Sequence, residues 1–334
     1  VMQKRMIEMS RDYYIFSNGR IMRRENTIYF EDGVNSRKAL PIEDVDKIHL
    51  FGEIDLNSKL LNYISQYDIL LNFYNYYGFY TGTFFPRKKN VSGFLLVRQA
   101  EHYSNLEKRI YIAKSFVDSA VFHILRNLRN YAGTEESIEI IQSEKNNIYN
   151  AGKIDELMGV EGRIRKTYYD AFNHILKNDF FIEKRQKMPP TDPVNALISF
   201  GNSLMYTTVL GEIYKTQLEP TISYLHEPST KRFSLSLDLA EIFKPLIVDP
   251  VIFRLVNNRM ITKDDFDEEE GVCFLSEQGK KKFIKEFEEK LGTTITHRKL
   301  RRKVSYKTFI RLECYKLIKH LVDDEFYKPL KAWW

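Results

Sequence analysis

The sequence predicts an α+β multidomain chain, with an N-terminal β-sandwich followed by a larger all-α helical domain. Three observations predict it. Residues 13–85 alternate short β-rich runs with turn residues. Pro86-Arg87-Lys88-Lys89-Asn90 then breaks that pattern. After Gly93, apolar residues recur every three or four positions, the period of a helix. The expected boundaries are 10–85 for the sandwich, 86–93 for a linker and 94–334 for the helical domain.

Tyr13–Phe16 is β-rich and ends in Ser17-Asn18-Gly19, an Asn-Gly pair of the hairpin type. Arg20–Arg24 and Thr27–Glu31 follow around Glu25-Asn26, and Ala39–Ile42, Lys47–Phe51, Ile69–Phe73 and Phe79–Phe84 are further strands. Ser58–Gln66 alone reads as helical, with Leu60, Leu61 and Ile64 on one face. Residues 1–9 are expected to lie outside the folded part.

Composition bounds the rest. At 334 residues the chain is long enough for two cores, and 43% hydrophobic with 29% charged residues describes a soluble globular protein. No apolar run approaches the roughly 20 residues that span a bilayer, so no membrane partner is expected. Cys273 and Cys314 have no CxxC or metal-finger spacing, and a reduced, cytoplasmic setting is the expectation. Charge is segregated: Gly271–Trp334 carries sixteen Lys/Arg against eight Asp/Glu. Just before it, Asp264–Glu270 holds six acids in seven residues and reads as a solvated loop. Basic residues at Thr294–Lys303 and Val304–Leu321, expected to be helical and interleaved with Tyr306, Phe309 and Tyr315, suit a polyanion such as DNA.

Within the helical segment the pattern has informative irregularities. Leu95–Asn127 reads as one long amphipathic stretch. Around Ile154–Leu176 the stripe of Leu157, Val160, Ile164, Tyr168 and Phe172 contains Glu161, and a carboxylate on a buried face needs a salt-bridge partner or a metal. Arg163 and Arg165 are the nearby candidates for the former. Asp192-Pro193 reads as an N-cap and first helical position, opening a helix apolar nearly all round to Tyr214.

The richest stretch is Leu225–Asp249, LHEPSTKRFSLSLDLAEIFKPLIVD. His226 falls in a turn before Glu227-Pro228-Ser229, while Asp238 and Glu241, three apart, share one side of a helix. Leu235, Leu239, Ile242 and Leu246 define its core face, and Pro245 kinks the helix or ends it near Lys244. One imidazole and two carboxylates suit a divalent ion with mixed oxygen and nitrogen ligands.

Three segments carry a resemblance: MGVEGRIRKTYYDAF, PPTDPVNALISFGNSLMY and LHEPSTKRFSLSLDLAEIFKPLIVD. With the β-then-α order, the chain resembles the CRISPR-associated integrase and endonuclease of spacer acquisition, the Cas-one family. The resemblance implies that the helical domain is catalytic and that the protein works as a homodimer. It implies a metal site of Glu161, His226 and Glu241 for Mg²⁺ or Mn²⁺, with Asp238 as a second acid in the catalytic set. Lys244, and beside Glu161 also Arg163, match positions able to contact phosphate. It further implies DNA partners, namely the spacer precursor and the repeat array, and a complex with the small second adaptation protein, "Cas-two". The implied reactions are DNA hydrolysis and insertion of spacers by 3′-hydroxyl transesterification. A branched-DNA nuclease of repair and a non-catalytic DNA-binding scaffold are the alternative readings of the same residues.

Overall fold

The computed structural model describes residues 11–33, 37–88, 90–187, 189–228 and 233–334. Residues 1–9, Lys89 of the expected linker and Ser229 of the expected turn lie outside the described residues. The chain divides into two compact units, Val1–Lys89 and Asn90–Trp334.

In the first unit, strands dominate because β-branched and aromatic residues alternate with polar ones. Two four-stranded sheets form. One joins β1 (Arg11–Ile15), β5 (Val45–Leu50), β7 (Leu70–Tyr74) and β8 (Tyr80–Phe84) in that order. The other runs β4 (Arg37–Leu40), β3 (Thr27–Asp32), β2 (Gly19–Arg24), β6 (Ile54–Asp55). Helix α1 (Ser58–Gln66) is capped by Asn57, whose side chain accepts from Leu60 N–H at 3.0 Å. Ile21, Ile28, Ile48, Leu60, Ile64 and Leu71 share one core cluster of fully buried side chains.

The Asn18-Gly19 pair does not make the expected hairpin. β1 pairs in parallel with β5, while β2 pairs with β3 in the other sheet, so the pair carries the chain between sheets. The reason is local. Asn18 Oδ1 accepts from Glu53 N–H at 2.8 Å, and a Cβ on Gly19 would stand 2.2 Å from the Glu31 carbonyl oxygen. The hairpin sits one connection later, at Glu25-Asn26, where Glu25 takes a positive φ of 53°.

The second unit is mainly helical. The stretch expected as one helix is two, α2 (Gly93–Ser104) and α3 (Leu106–Leu128). Asn105 divides them because its side chain caps α3, accepting from Lys108 N–H at 3.0 Å. There follow α4 (Glu135–Asn150), α5 (Ile154–Asp170), the short α6 (Phe172–Ile175) and α7 (Pro193–Tyr214). Asp192 caps α7 with Pro193 in its first turn, as expected, accepting from Asn195 N–H at 2.8 Å. Close packing explains Gly201 in α7: an added Cβ would lie 2.5 Å from Val248 Cγ1 and 2.8 Å from Phe283 Cζ.

Then come α8 (Ser234–Phe243), a π-helical turn (Lys244–Val248) and α9 (Asp249–Asn257). Pro245 lacks an N–H and its ring crowds the carbonyl four residues back, so the helix widens where the sequence expected a kink. The Pro245 carbonyl is satisfied sideways by the Asn127 amide at 2.6 Å.

The remainder corrects two expectations. Asp264–Glu270 is not a free loop: it forms a 3₁₀ turn and β9 (Phe266–Glu269), paired with β10 (Val272–Leu275). Asp265 is buried there, bonded to Lys282 at 2.7 Å. After α10 (Glu277–Gly292), residues expected to be helical form a hairpin of β11 (Thr294–Thr296) and β12 (Lys303–Ser305), leading into α11 (Tyr306–Leu321). Thr294, Ile295, Thr296 and Val304 are strand formers, and the basic residues occupy the connection. No described helix is long and apolar enough to cross a membrane.

Residues after α11 run back along α3. Tyr111 Oη donates to the Tyr327 carbonyl at 3.0 Å, and buried His123 Nε2 accepts from Ala332 N–H at 3.1 Å. Burial, then the nearby Arg126, pushes His123 down to about 3, so it stays neutral when folded. Above pH 6.5 both states are neutral and this contact contributes fully. Between 6.5 and about 3 only the unfolded chain binds the proton, so stability falls by up to about 1.4 kcal/mol per pH unit. Denaturant titrations of the parent and His123→Gln should therefore converge as pH falls from 6.5. A gap that is constant with pH contradicts this.

Candidate metal centre

Helix α5 brings the first carboxylate. Its start is fixed by Glu156, which accepts from the Gly152 and Lys153 N–H groups at 2.8 and 3.2 Å. Leu157, Val160, Ile164 and Tyr168 are buried along one side, and this orients Glu161 at the edge of that face, half-sheltered. Glu161 Oε1 accepts from Arg165 Nε, one turn on, at 3.0 Å. The salt-bridge partner left open by the sequence is therefore Arg165. Arg163 turns away, is more than half exposed, and pairs with Glu144 at 3.0 Å.

Helix α8 brings the second carboxylate. It packs between α3 and α7, burying Leu235, Leu239 and Ile242. Glu241 Oε2 accepts from Arg165 Nη2, and its Oε1 accepts from Lys244 Nζ at 2.5 Å. Arg165 thus links Glu161 and Glu241 across helices 76 residues apart in sequence. Burial alone would raise the Glu241 pKa, but Lys244, Arg165 and His226 outweigh it and hold the carboxyl far below its usual range. Glu241 is ionised.

The imidazole comes from the loop before α8, and Asp238 builds that loop. Its side chain is fully buried and accepts four hydrogen bonds, from Tyr224 N–H at 2.6 Å, Leu225 N–H at 2.9 Å, His226 N–H at 2.9 Å and His226 Nδ1 at 2.8 Å. Outside the loop, Arg109 bonds the Tyr224 carbonyl at 2.9 Å and the Glu227 carboxylate at 2.6 Å. With Nδ1 engaged, Nε2 is the ring nitrogen left for a ligand. Burial disfavours the charged ring, yet Asp238 and then Glu241 raise its pKa above the usual value.

These positions bring together what the sequence marked. Glu161, Glu241 and Lys244 meet through shared partners, and His226 lies within electrostatic range of Glu241 and Lys244. Asp238 joins them through His226, and both of its oxygens also accept from N–H groups of the loop. That role could not be read from spacing, because its partners are backbone groups 12–14 residues earlier. Asp249, deep under the site, is raised to about 7 by burial, against the opposing pull of Arg165.

The donor set suits a hard divalent cation: two carboxylates, of which Glu241 is held ionised, and one imidazole whose ring is held by the Asp238 carboxylate. The carboxylates are turned toward Arg165 and Lys244. Among the described residues no group of three or more His, Cys, Asp or Glu is gathered tightly enough to hold an ion. The chemistry fits, and the positions are held by internal cations.

The family model described as CRISPR associated protein Cas1 matches residues 13–289. A CRISPR-associated endonuclease Cas1 of Clostridium perfringens (strain SM101 / Type A) is 66% identical, over 98% of this chain and 100% of that protein. Among solved structures, a Cas1 protein from Thermotoga maritima is 41% identical with a TM-score of 0.86, covering 95% of this chain and 99% of the other. A casposase bound to its integration product has a TM-score of 0.84 at 20% identity, over 96% of this chain and 93% of that one, a likeness of fold alone.

Proposed function

The chain belongs to the Cas1 family of CRISPR-associated proteins, and from that premise we propose that it is a metal-dependent DNA endonuclease and integrase of CRISPR adaptation, inserting short DNA spacers into the repeat array. The observation that carries the reading is the meeting of a carboxylate from α5 and a carboxylate from α8 at one buried arginine, with a loop imidazole within electrostatic range of the second carboxylate. Glu161, His226 and Glu241 are the ligands in this reading, and Mg²⁺ or Mn²⁺ is the ion. When bound, the ion supplies positive charge against phosphate oxygens and lowers the pKa of a bound hydroxyl.

The chain's own groups do the rest. Asp238 fixes the His226 ring so that Nε2 faces the ligand space. Lys244, three residues from Glu241 and bonded to it, can exchange that oxygen for a phosphate oxygen when DNA enters. Arg163 would first have to leave Glu144, which makes it the weaker phosphate contact. In hydrolysis water attacks the phosphorus of a DNA phosphodiester, whereas in integration a spacer 3′-hydroxyl does so; in either case one new P–O bond forms and the P–O3′ bond of the attacked strand breaks, its oxygen leaving as a 3′-hydroxyl. A homodimer and the small second adaptation protein complete the proposed assembly, with spacer precursor and repeat DNA as substrates.

The test supplies a repeat-containing plasmid, a short duplex, Mn²⁺ and the small second protein. Half-site joined products are expected with 3′-hydroxyl ends and are lost with 3′-deoxy ends. Cleavage of branched DNA with no joining under any of these conditions would point to a repair nuclease instead.

A further inference from the structure

Arg165 is the best-buried cation of the site and the one that touches both proposed ligand carboxylates. Its side chain is only 11% exposed. Nε meets Glu161 on its own helix and Nη2 meets Glu241 on α8, while Nη1 has no hydrogen-bond partner among the described residues. The buried Asp249 and the neighbouring Tyr169 also lie within its electrostatic range. A guanidinium cannot be deprotonated, so this charge is permanent, and its planar fork can address two carboxylates at once. Without it, two glutamates on separate helices would meet in a buried site as like charges.

We propose that Arg165 is a built-in counter-cation for the metal site: it positions Glu161 and Glu241 while no ion is bound, and releases carboxylate oxygens to the ion when one enters. This rests on the metal-site reading above and adds to it a role for a residue that would not itself touch metal or DNA. Arg165 is a positioning residue. The charge the ion brings replaces the charge Arg165 lends, so the fold is never left with two uncompensated carboxylates. Lys244 acts in the same sense on Glu241 alone.

The consequence is that Arg165 and the ion are partly interchangeable as stabilisers. Melting temperatures of the full chain are to be measured in EDTA and in Mn²⁺ for the parent, Arg165→Met, Arg165→Lys and Glu241→Gln. In EDTA, Arg165→Met should melt about 5–15 °C below the parent, because a buried ion pair has been broken on one side. Mn²⁺ should raise Arg165→Met by more than it raises the parent and close most of that gap. Arg165→Lys, which keeps the charge and loses the fork, should lie between them and follow the same trend even if Arg165→Met does not fold. A gap of the same size in EDTA and Mn²⁺ would make Arg165 a purely structural residue and overturn the proposal, as would no gap at all. If Mn²⁺ shifts neither the parent nor any variant, or shifts Glu241→Gln as much as the parent, the metal-site reading itself is wrong.

Discussion

Glu161→Gln, His226→Asn and Glu241→Gln should each lose Mn²⁺-dependent DNA cleavage and spacer joining by more than about 100-fold. The figure follows from the ordering of effects around a metal. Removing an outer partner of a ligand already costs about 10–100-fold in affinity or activity, and removing a ligand costs more. The three variants should differ in stability, which separates loss of the site from loss of the fold. Glu241 is buried and neutralises Arg165 and Lys244, so Glu241→Gln leaves two cations short of a partner. Glu161 pairs with Arg165, which retains Glu241 in its absence. The His226 side chain is the most exposed of the three and its replacement should cost least. Circular dichroism melts beside cleavage assays check this. Three folded variants that all cut and join as well as the parent would end the metal-site account.

Asp238→Ala should be the most destabilising single change near the site. It strips the acceptor from three consecutive backbone N–H groups, two of them in the interior, and from the part-buried His226 ring. Each buried donor left without a partner costs about 1–3 kcal/mol, so with four donors affected a loss of at least about 4 kcal/mol is expected. The loop that carries His226 would lose its inner anchor and keep the contacts made by Arg109, Tyr103 and Ser223. Asp238→Asn retains an acceptor but presents an NH₂ to a donor, and the ring loses the carboxylate that orients it. For that variant the fold should hold and metal affinity should fall about 10–100-fold. Denaturant unfolding of Asp238→Ala and calorimetric Mn²⁺ titration of Asp238→Asn check the two parts. Unchanged Mn²⁺ affinity in Asp238→Asn would mean that His226 needs no orienting partner.

Much of this was legible in the residues. Glu161 inside an apolar stripe announced a carboxylate with a partner, and Asp192-Pro193 announced the start of α7 to the residue. Pro245 announced an irregularity after Glu241, although it could not say that the helix would widen into a π turn and continue. What escaped shares one cause, long-range pairing. Asn18-Gly19 has the local signature of a hairpin, but the parallel partner of β1 lies some thirty residues on. The acidic run from Asp264 looks solvated until Lys282 and the β10 strand are placed against it. Asp238 looked like a second acid at the site, because nothing in the spacing reveals that its oxygens are taken by backbone N–H groups of the preceding loop. Arg165 looked like a salt-bridge candidate for Glu161, and its second contact across to Glu241 is visible only in the fold.

The most direct measurement is anomalous diffraction from crystals soaked in Mn²⁺. The account predicts one ion coordinated by Glu161, His226 through Nε2, and Glu241, with Asp238 still bonded to the His226 ring and Arg165 turned from at least one carboxylate. An ion held by Asp238, or one that touches none of the three, would contradict it.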